Sequence, residues 1–259
     1  MGLLYLYSSL TDIKFSSINK ISVQDFYKLL DLNCTKDDKD QISSLRRKID
    51  VKNILSIYSG VSFDPKGNFI ESGLRVALSN LEYLPDYVFD FLEEHPDDEE
   101  LKKHFPKLYA DFFANEIARG SLCSEFLLFE KHLNLLLFGL NCKKKNIKIE
   151  SFLQYEDLSD PVVEYVLLQS KNSGPFIFPY EYKDLEKKIN DAGVDPMNQY
   201  NAIASYKFDY YKAIVDDNKK LLRSICAYMM CLWIIEEKTS LNEKVGREVL
   251  KELVESEDE

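Results

Sequence analysis

The sequence predicts an all-α protein, a multi-helix bundle of about ten helices, on three observations. Apolar residues recur at spacings of three and four along most of the 259-residue chain, which is the period of amphipathic helices. Capping residues precede many of these segments. The chain has only nine glycines and eight prolines, too few for the dense turns of a β-sandwich. A chain of this length can bury a large core without disulfides, and we expect one compact helical unit over 1–259.

Three helices are predicted in the first sixty residues. Ser22, three residues before Asp25, indicates the capped start of the first. A second is expected to begin at Thr35. A third is expected to begin at Asp50 and to stop near Gly60, because glycine favours the ends of helices.

Residues 61–70 carry the strongest turn signal in the chain, Asp64-Pro65-Lys66-Gly67-Asn68. Two short apolar stretches flank this turn. The pattern is compatible with a short β-hairpin, which is the single β element that the sequence suggests.

Prolines and acidic residues mark the helices of the middle of the chain. Pro85 is suited to the first turn of a helix, and Pro96 ends that helix. The acidic run 97–100 favours the start of the next helix, where the helix dipole stabilises negative charge. Pro106 either kinks this helix or begins a new one that runs to Gly120.

The second half of the chain is also predicted to be helical, with capping residues, prolines and terminal charges that mark the helix ends. A long helix is expected from Ser121 to the three lysines 143–145, cations that stabilise a helix C-terminus. Residues 221–237 form a helix that is apolar nearly all round, which indicates burial on most sides. Further helix starts combine a capping residue with proline or glutamate: Asp160-Pro161, Asp195-Pro196, and Ser240 with Glu243. An acidic tail, 255–259, follows.

Net charge and cysteine content limit the classes of partner and the cellular compartment that we expect for this protein. The net charge of −11 argues against a general nucleic-acid binder, whose affinity rests on basic residues. Five scattered cysteines do not form the dense, even-numbered set of a secreted protein, so we expect a reducing cytoplasm. The longest uncharged apolar run, Ser224–Ile235, is shorter than the roughly 20 residues of a membrane span. The N-terminus lacks a signal peptide's basic region and cleavage site.

Metal-binding patterns are weak in the sequence. His95 and His104 are nine residues apart with Pro96 between them, so they do not share one helix face. Cys226 and Cys231 lack the spacing of zinc ligands and lie on the apolar helix, where cysteine acts as a small hydrophobe. We expect no metal site and no cofactor.

Catalytic patterns are equally weak. Cys123 and His132 are about two and a half helical turns apart, too far for a nucleophile to bond its base. No hydrolase, metalloprotease, phosphate-loop or dinucleotide-binding motif occurs. We expect no catalytic residues and no enzyme. A helical enzyme that assembles dispersed carboxylates around a divalent metal stays open as an alternative.

Two clusters concentrate positive charge: Arg46-Arg47-Lys48 and Lys143-Lys144-Lys145. The simplest interpretation is solvent-exposed helix ends. The alternative is that both clusters contact an acidic partner protein or lipid headgroups. These six side chains are the candidate partner-contact residues.

Several stretches resemble a family of uncharacterised bacterial proteins that are encoded beside the subunits of bacterial V/A-type ATP synthases. The opening carries two of them, Tyr5–Leu10 and Ser22–Phe26. Three more follow, at Phe129–Lys145, Ser205–Asp209 and Trp233–Glu248. Their aromatic and charged helix positions contain no catalytic signature.

The resemblance implies the fold of the central-stalk subunit of V-type synthases that corresponds to the d subunit of eukaryotic pumps, a funnel of three related helical lobes. This chain is shorter than that subunit. Ile49–Leu55 and Phe129–Leu135 echo each other, since each places an acidic residue ahead of an Asn-apolar pair. The echo would match two related lobes, and a division into 1–120 and 121–259 is the expectation.

The function implied is that of a non-catalytic central-stalk adaptor, coupling the rotor shaft of the catalytic head to the membrane ring of proteolipids. Its partners would be the other V/A-type ATP synthase subunits, with no nucleic acid. It would be cytoplasmic and peripheral to the inner membrane, through the complex. The alternative is an all-α scaffold or regulatory module that binds a helical partner in an apolar groove.

Overall fold

The computed structural model describes residues 2–16, 20–150, 152–217 and 219–241. These residues form eleven α-helices and one 3₁₀ turn, Tyr180–Tyr182, and contain no strand, which confirms the all-α prediction. The helices are α1 (Leu3–Ser9), α2 (Val23–Asn33), α3 (Lys36–Ser59), α4 (Glu71–Asn80), α5 (Asp86–Glu94), α6 (Asp98–Ala118), α7 (Ser124–Lys145), α8 (Pro161–Lys171), α9 (Lys183–Asp191), α10 (Pro196–Asp217) and α11 (Leu221–Ser240).

The helices form two compact units that differ from the expected lobes 1–120 and 121–259. The terminal unit takes Met1–Thr35 and Tyr182–Glu259, and the internal unit takes Lys36–Glu181. The reason is packing: α1 and α2 pack against α11 from the far end of the chain, and α6 packs against α7 across the expected boundary. Both echo segments lie in the internal unit, on α3 and α7, and not in separate lobes.

The terminal unit is built around α11. Every residue from Ser224 to Ile235 is buried, as the all-round apolar pattern predicts. Helix α10 packs along α11 and α9 packs on α10. Two side-chain hydrogen bonds join distant elements of this unit: the Trp233 indole N–H donates to the Tyr27 hydroxyl at 2.9 Å, and the Tyr7 hydroxyl donates to the Val215 carbonyl at 2.9 Å.

In the internal unit, the two predicted helices from Thr35 and Asp50 are one continuous helix, α3. Asp50 does not cap a helix start. Its buried carboxylate instead accepts hydrogen bonds from the Asn68 side chain at 2.7 Å and the Phe69 amide at 3.2 Å. Burial raises the pKa of Asp50 above its ordinary value, and these hydrogen bonds oppose that shift.

Residues 61–70 do not form the expected hairpin. Side chains of α3 hold this segment in place of a strand partner: Asn53 accepts from the Asp64 amide at 2.9 Å and donates to the Asp64 carbonyl at 2.8 Å. Arg46 donates to the carbonyls of Lys66 and Gly67. Because these backbone groups already have hydrogen-bond partners, they do not need the inter-strand hydrogen bonds of a hairpin.

Of the two alternatives at Pro106, the start of a new helix is wrong, because α6 continues through this residue. An internal proline costs roughly 3 kcal/mol in an isolated helix. In α6 the buried Leu101 and Leu108 on either side, and Phe112 one turn further, pack into the unit and offset this cost.

Three of the predicted helix starts depend on local capping and are confirmed. Ser22 Oγ accepts from the Asp25 amide at 3.1 Å, Asp160 Oδ1 from the Val162 amide at 2.9 Å, and Asp195 Oδ1 from the Asn198 amide at 2.8 Å. The predicted last helix beyond Ser240 and the acidic tail lie outside the described residues. No helix in the described part of the chain is both long and apolar enough to cross a bilayer.

Candidate functional site

The first predicted contact cluster, Arg46-Arg47-Lys48, is bonded within its own unit: Lys48 is buried, and Arg46 and Arg47 are half-buried. Lys48 Nζ lies 2.6 Å from Glu130 Oε2 on α7, and Glu130 is only 1% exposed. Arg47 Nη1 lies 2.6 Å from Glu116 Oε1 on α6. Arg46 holds the 61–70 segment. The physical reason is that acidic side chains of α6 and α7, and carbonyls of the 61–70 segment, lie within reach of these three cations.

The second cluster divides. Lys143 reaches across to the C-terminal end of α8, where its ammonium donates to the carbonyls of Gln169 at 3.1 Å, Ser170 at 3.3 Å and Asn172. Lys144 and Lys145 are exposed, and Lys148 beyond the helix end is exposed as well. We call Lys144, Lys145 and Lys148 the lysine surface.

A cavity of about 300 Å³ lies between α6, α7 and the segment that leads to α8. Its walls are mostly aromatic and apolar, and one edge is polar. The lining residues are Pro106, Tyr109, Phe113, Lys131, Asn134, Leu135, Phe138, Phe152, Leu153 and Glu156. A dry cavity of roughly 150 Å³ accepts benzene. This cavity therefore has room for one or two apolar side chains, at the lower end of the range of ligand sites.

An ion-pair network forms the polar edge. Lys131 Nζ lies 3.1 Å from Glu156 Oε2 and 3.1 Å from Asp160 Oδ2, and His132 Nε2 lies 3.1 Å from Asp160 Oδ1. Burial opposes ionisation of Asp160, but hydrogen bonds from His132, Val162 and Lys131 hold its pKa well below its ordinary value. Burial also disfavours the Lys131 ammonium, yet both carboxylates raise its pKa. Lys131 and Asp160 therefore both stay charged near neutral pH.

His95 and His104, which were not expected to lie on one helix face, are neighbours in the structure. His95 follows α5, while Glu100 and His104 lie one turn apart on α6. One ligand atom from each of the three residues lies within 4.8 Å of the others. The two imidazole rings stack with centroids 4.5 Å apart. Spacing along a single helix does not predict this pair, because the turn at 95–97 folds α6 back on α5.

The remaining cysteine candidates are buried. Cys226 and Cys231 are free thiols in the core of the terminal unit, as predicted for small apolar residues. Burial raises the pKa of Cys231 far above its ordinary value, so this residue is a thiol and not a thiolate nucleophile. His132, which the sequence places too far from Cys123 to act as its base, contacts Asp160.

Comparison with known proteins places the chain in a family. The family's sequence profile, described as "Protein of unknown function (DUF2764)", matches residues 2–258. An uncharacterised protein of Chlamydia pneumoniae is 27% identical over 250 residues, which are 92% of this chain and 91% of the relative. An uncharacterised protein of Chlamydia trachomatis is 27% identical over 222 residues, 82% of this chain and 83% of the relative. No solved structure matches the chain. The chain belongs to the DUF2764 family.

Proposed function

We propose that this protein is a non-catalytic central-stalk adaptor of a V/A-type ATP synthase, peripheral to the membrane on the cytoplasmic side. It would couple the shaft of the catalytic head to the proteolipid ring. The proposal starts from the sequence resemblance to proteins encoded beside the subunits of such synthases. The structural observation that supports it most is the set of buried ion pairs that tie neighbouring elements of the internal unit together.

A torque-transmitting part must resist shear between its helices, and these ion pairs supply that resistance. The Lys48–Glu130 pair links α3 to α7, and the Arg47–Glu116 pair links α3 to α6. Lys131 links α7 to Asp160 at the start of α8. Sliding one helix along another would separate buried charges, which costs several kcal/mol per broken pair. Each contact also fixes the register of the helices that it joins.

An adaptor also needs exposed surfaces for its neighbours. The lysine surface is the part of the predicted contact residues that remains outside, extended by Lys148. A compact positive patch on a chain of net charge −11 is suited to an acidic partner surface, because complementary charge guides association. Lys143 is excluded, since it bonds the end of α8.

Charge reversal on the lysine surface tests this assignment. The variant Lys144→Glu with Lys145→Glu is compared with Lys36→Glu plus Lys52→Glu, which changes two exposed lysines of α3 by the same charge. Each tagged protein is expressed in its native host and the synthase is purified at low salt. We expect the first variant to lose the shaft and ring subunits and the second to keep them. Equal retention by both variants would remove the lysine surface from the interface.

A second candidate function is a scaffold that binds a helical partner, and the cavity beside α7 favours it. An amphipathic helix could insert an aromatic or aliphatic side chain between Tyr109, Phe113 and Phe138. Asn134→Trp would fill the cavity from its exposed rim. Asn141→Trp is the matched control, because Asn141 is an exposed asparagine of the same helix that does not line the cavity. A bound partner lost with Asn134→Trp alone would favour the scaffold, and equal binding by both variants would exclude this groove.

A further inference from the structure

We infer that His95, Glu100 and His104 form a binding site for a transition-metal ion of the Zn²⁺ class. This inference is independent of the stalk proposal. It rests on three ligating side chains that converge at one point of the internal unit.

Two of the three ligand atoms already have the spacing that a metal requires. Zn²⁺ bonds to nitrogen and oxygen at about 2.0–2.2 Å, so neighbouring ligand atoms of a tetrahedral site lie roughly 3.3 Å apart. His104 Nε2 lies 3.2 Å from Glu100 Oε2. Because these residues are four apart on α6, the helix itself fixes this pair.

His104 is also oriented for this role. Its Nδ1 lies 2.9 Å from the hydroxyl of Tyr155. A histidine that binds metal through Nε2 carries its proton on Nδ1 and donates it to an outer acceptor, which fixes the ring's tautomer and orientation. The Tyr155 oxygen is such an acceptor.

His95 supplies the third ligand from the end of α5. Its Nε2 is buried and has no hydrogen-bond partner within the described residues. A coordinated metal would satisfy this nitrogen. A metal lies in the plane of each imidazole that binds it, so the stacked rings must rotate, and His95 must approach the other two ligands, for all three to bind.

Glu100 can serve the metal without losing its present partner. Its Oε1 accepts from Lys103 at 3.3 Å, while its Oε2 faces His104. Glu94 lies further off, 3.9 Å from His95 Nε2, and Lys107 holds it at 2.7 Å.

The ligand set identifies the class of ion. Two imidazoles and one carboxylate suit Zn²⁺ and Co²⁺, whereas Mg²⁺ and Ca²⁺ prefer oxygen ligands. Three protein ligands leave one tetrahedral position for water. The ion would join the end of α5 to the start of α6, and through Tyr155 to the segment ahead of α8.

The test is titration of the full chain with Zn²⁺ alone, followed by calorimetry, and with Co²⁺, followed by visible absorption. We expect one ion per chain. Glu100→Gln should weaken binding at least about tenfold, since even outer residues of zinc sites contribute that much. Glu99→Gln is the matched control: Glu99 is the preceding residue, is exposed and also pairs with a lysine. Glu100 is itself exposed, so both variants should retain the wild-type melting temperature.

Three results would overturn the inference. The first is the absence of saturable one-to-one binding. The second is equal Zn²⁺ affinity in Glu100→Gln and Glu99→Gln. The third is a Co²⁺ spectrum with thiolate charge-transfer bands, which would place the ion on cysteines instead.

Discussion

Lys48 and Glu130 form a buried ion pair that joins α3 to α7, with Nζ and Oε2 2.6 Å apart. Glu130 is 1% exposed and Lys48 is 8% exposed. Lys48 belongs to the basic cluster Arg46-Arg47-Lys48, which the sequence suggests as a contact surface, but here it makes a buried contact within the protein. Two buried charges this close depend strongly on each other, because neither has bulk water as a substitute partner.

Lys48→Met should therefore destabilise the protein by about 3 kcal/mol, because Glu130 keeps its buried charge and loses its 2.6 Å partner. Urea unfolding at pH 7 measures the change. Lys48→Met combined with Glu130→Leu should recover most of the loss, because a well-packed apolar pair can replace a buried ion pair. Lys52→Met, on an exposed position of the same helix, is the control. Wild-type stability in Lys48→Met would show that the pair is not important for the fold.

Asp160→Asn isolates a second charged contact. Asparagine still caps α8, so the change removes charge more than capping. The folded-state pKa of Asp160 is depressed, so its contribution is fully present above the unfolded pKa near 4 and is lost only as pH falls through the depressed folded-state pKa. We expect about 2 kcal/mol of destabilisation at pH 7 and a clearly smaller difference near pH 2. Unfolding curves at both pH values check this, and a difference independent of pH would contradict it.

Gly139 marks a close approach in the internal unit. A Cβ at this position would lie 2.8 Å from Phe176 Cε2 and 2.9 Å from Val166 Cγ1 on α8. Gly139→Ala should destabilise by about 1–3 kcal/mol through overpacking. Gly73→Ala in α4 is the control, because its nearest neighbour would be at 3.5 Å. There the better helix propensity of alanine should stabilise by roughly 0.5–1 kcal/mol. Thermal unfolding of both variants measures the two changes. Melting temperatures that shift in the same direction would contradict the prediction.

Tyr155→Phe tests how His104 is held. Removing the hydroxyl deletes the 2.9 Å contact with Nδ1 and leaves the ring in place. Zn²⁺ affinity should fall about tenfold, as for other outer partners of ligating histidines. Calorimetry on the folded variant gives the answer, and an unchanged affinity would mean that Tyr155 does not orient the ligand.

Local signals in the sequence were sufficient for the helix class and for many helix starts. Ser22, Asp160 and Asp195 cap helices by hydrogen bonds to amides two or three residues ahead, so no tertiary information is needed. The burial of α11 also follows from its apolar circumference. Its neighbours α1 and α2 come from the other end of the chain, which local patterns do not reveal.

The errors share a tertiary origin. Asp50 has the residue type of a cap, but distant partners in the 61–70 segment use its carboxylate and leave α3 continuous. Lys48 has the residue type of a surface cation, but it is buried and pairs with Glu130 of α7. The His95–His104 pair depends on the fold of an interhelical turn. Pro96 and the acidic run 97–100 mark that turn in the sequence, and they are the signal that could have suggested the pair.

We propose that this chain is an integral part of a rotary ATP synthase. The most direct measurement is to purify the V/A-type synthase of the native host through a tag on its shaft subunit and to quantify this chain by mass spectrometry. We expect a fixed stoichiometric amount that persists when the catalytic head is removed and the shaft and ring remain. An intact, active synthase that lacks this chain would contradict the proposal.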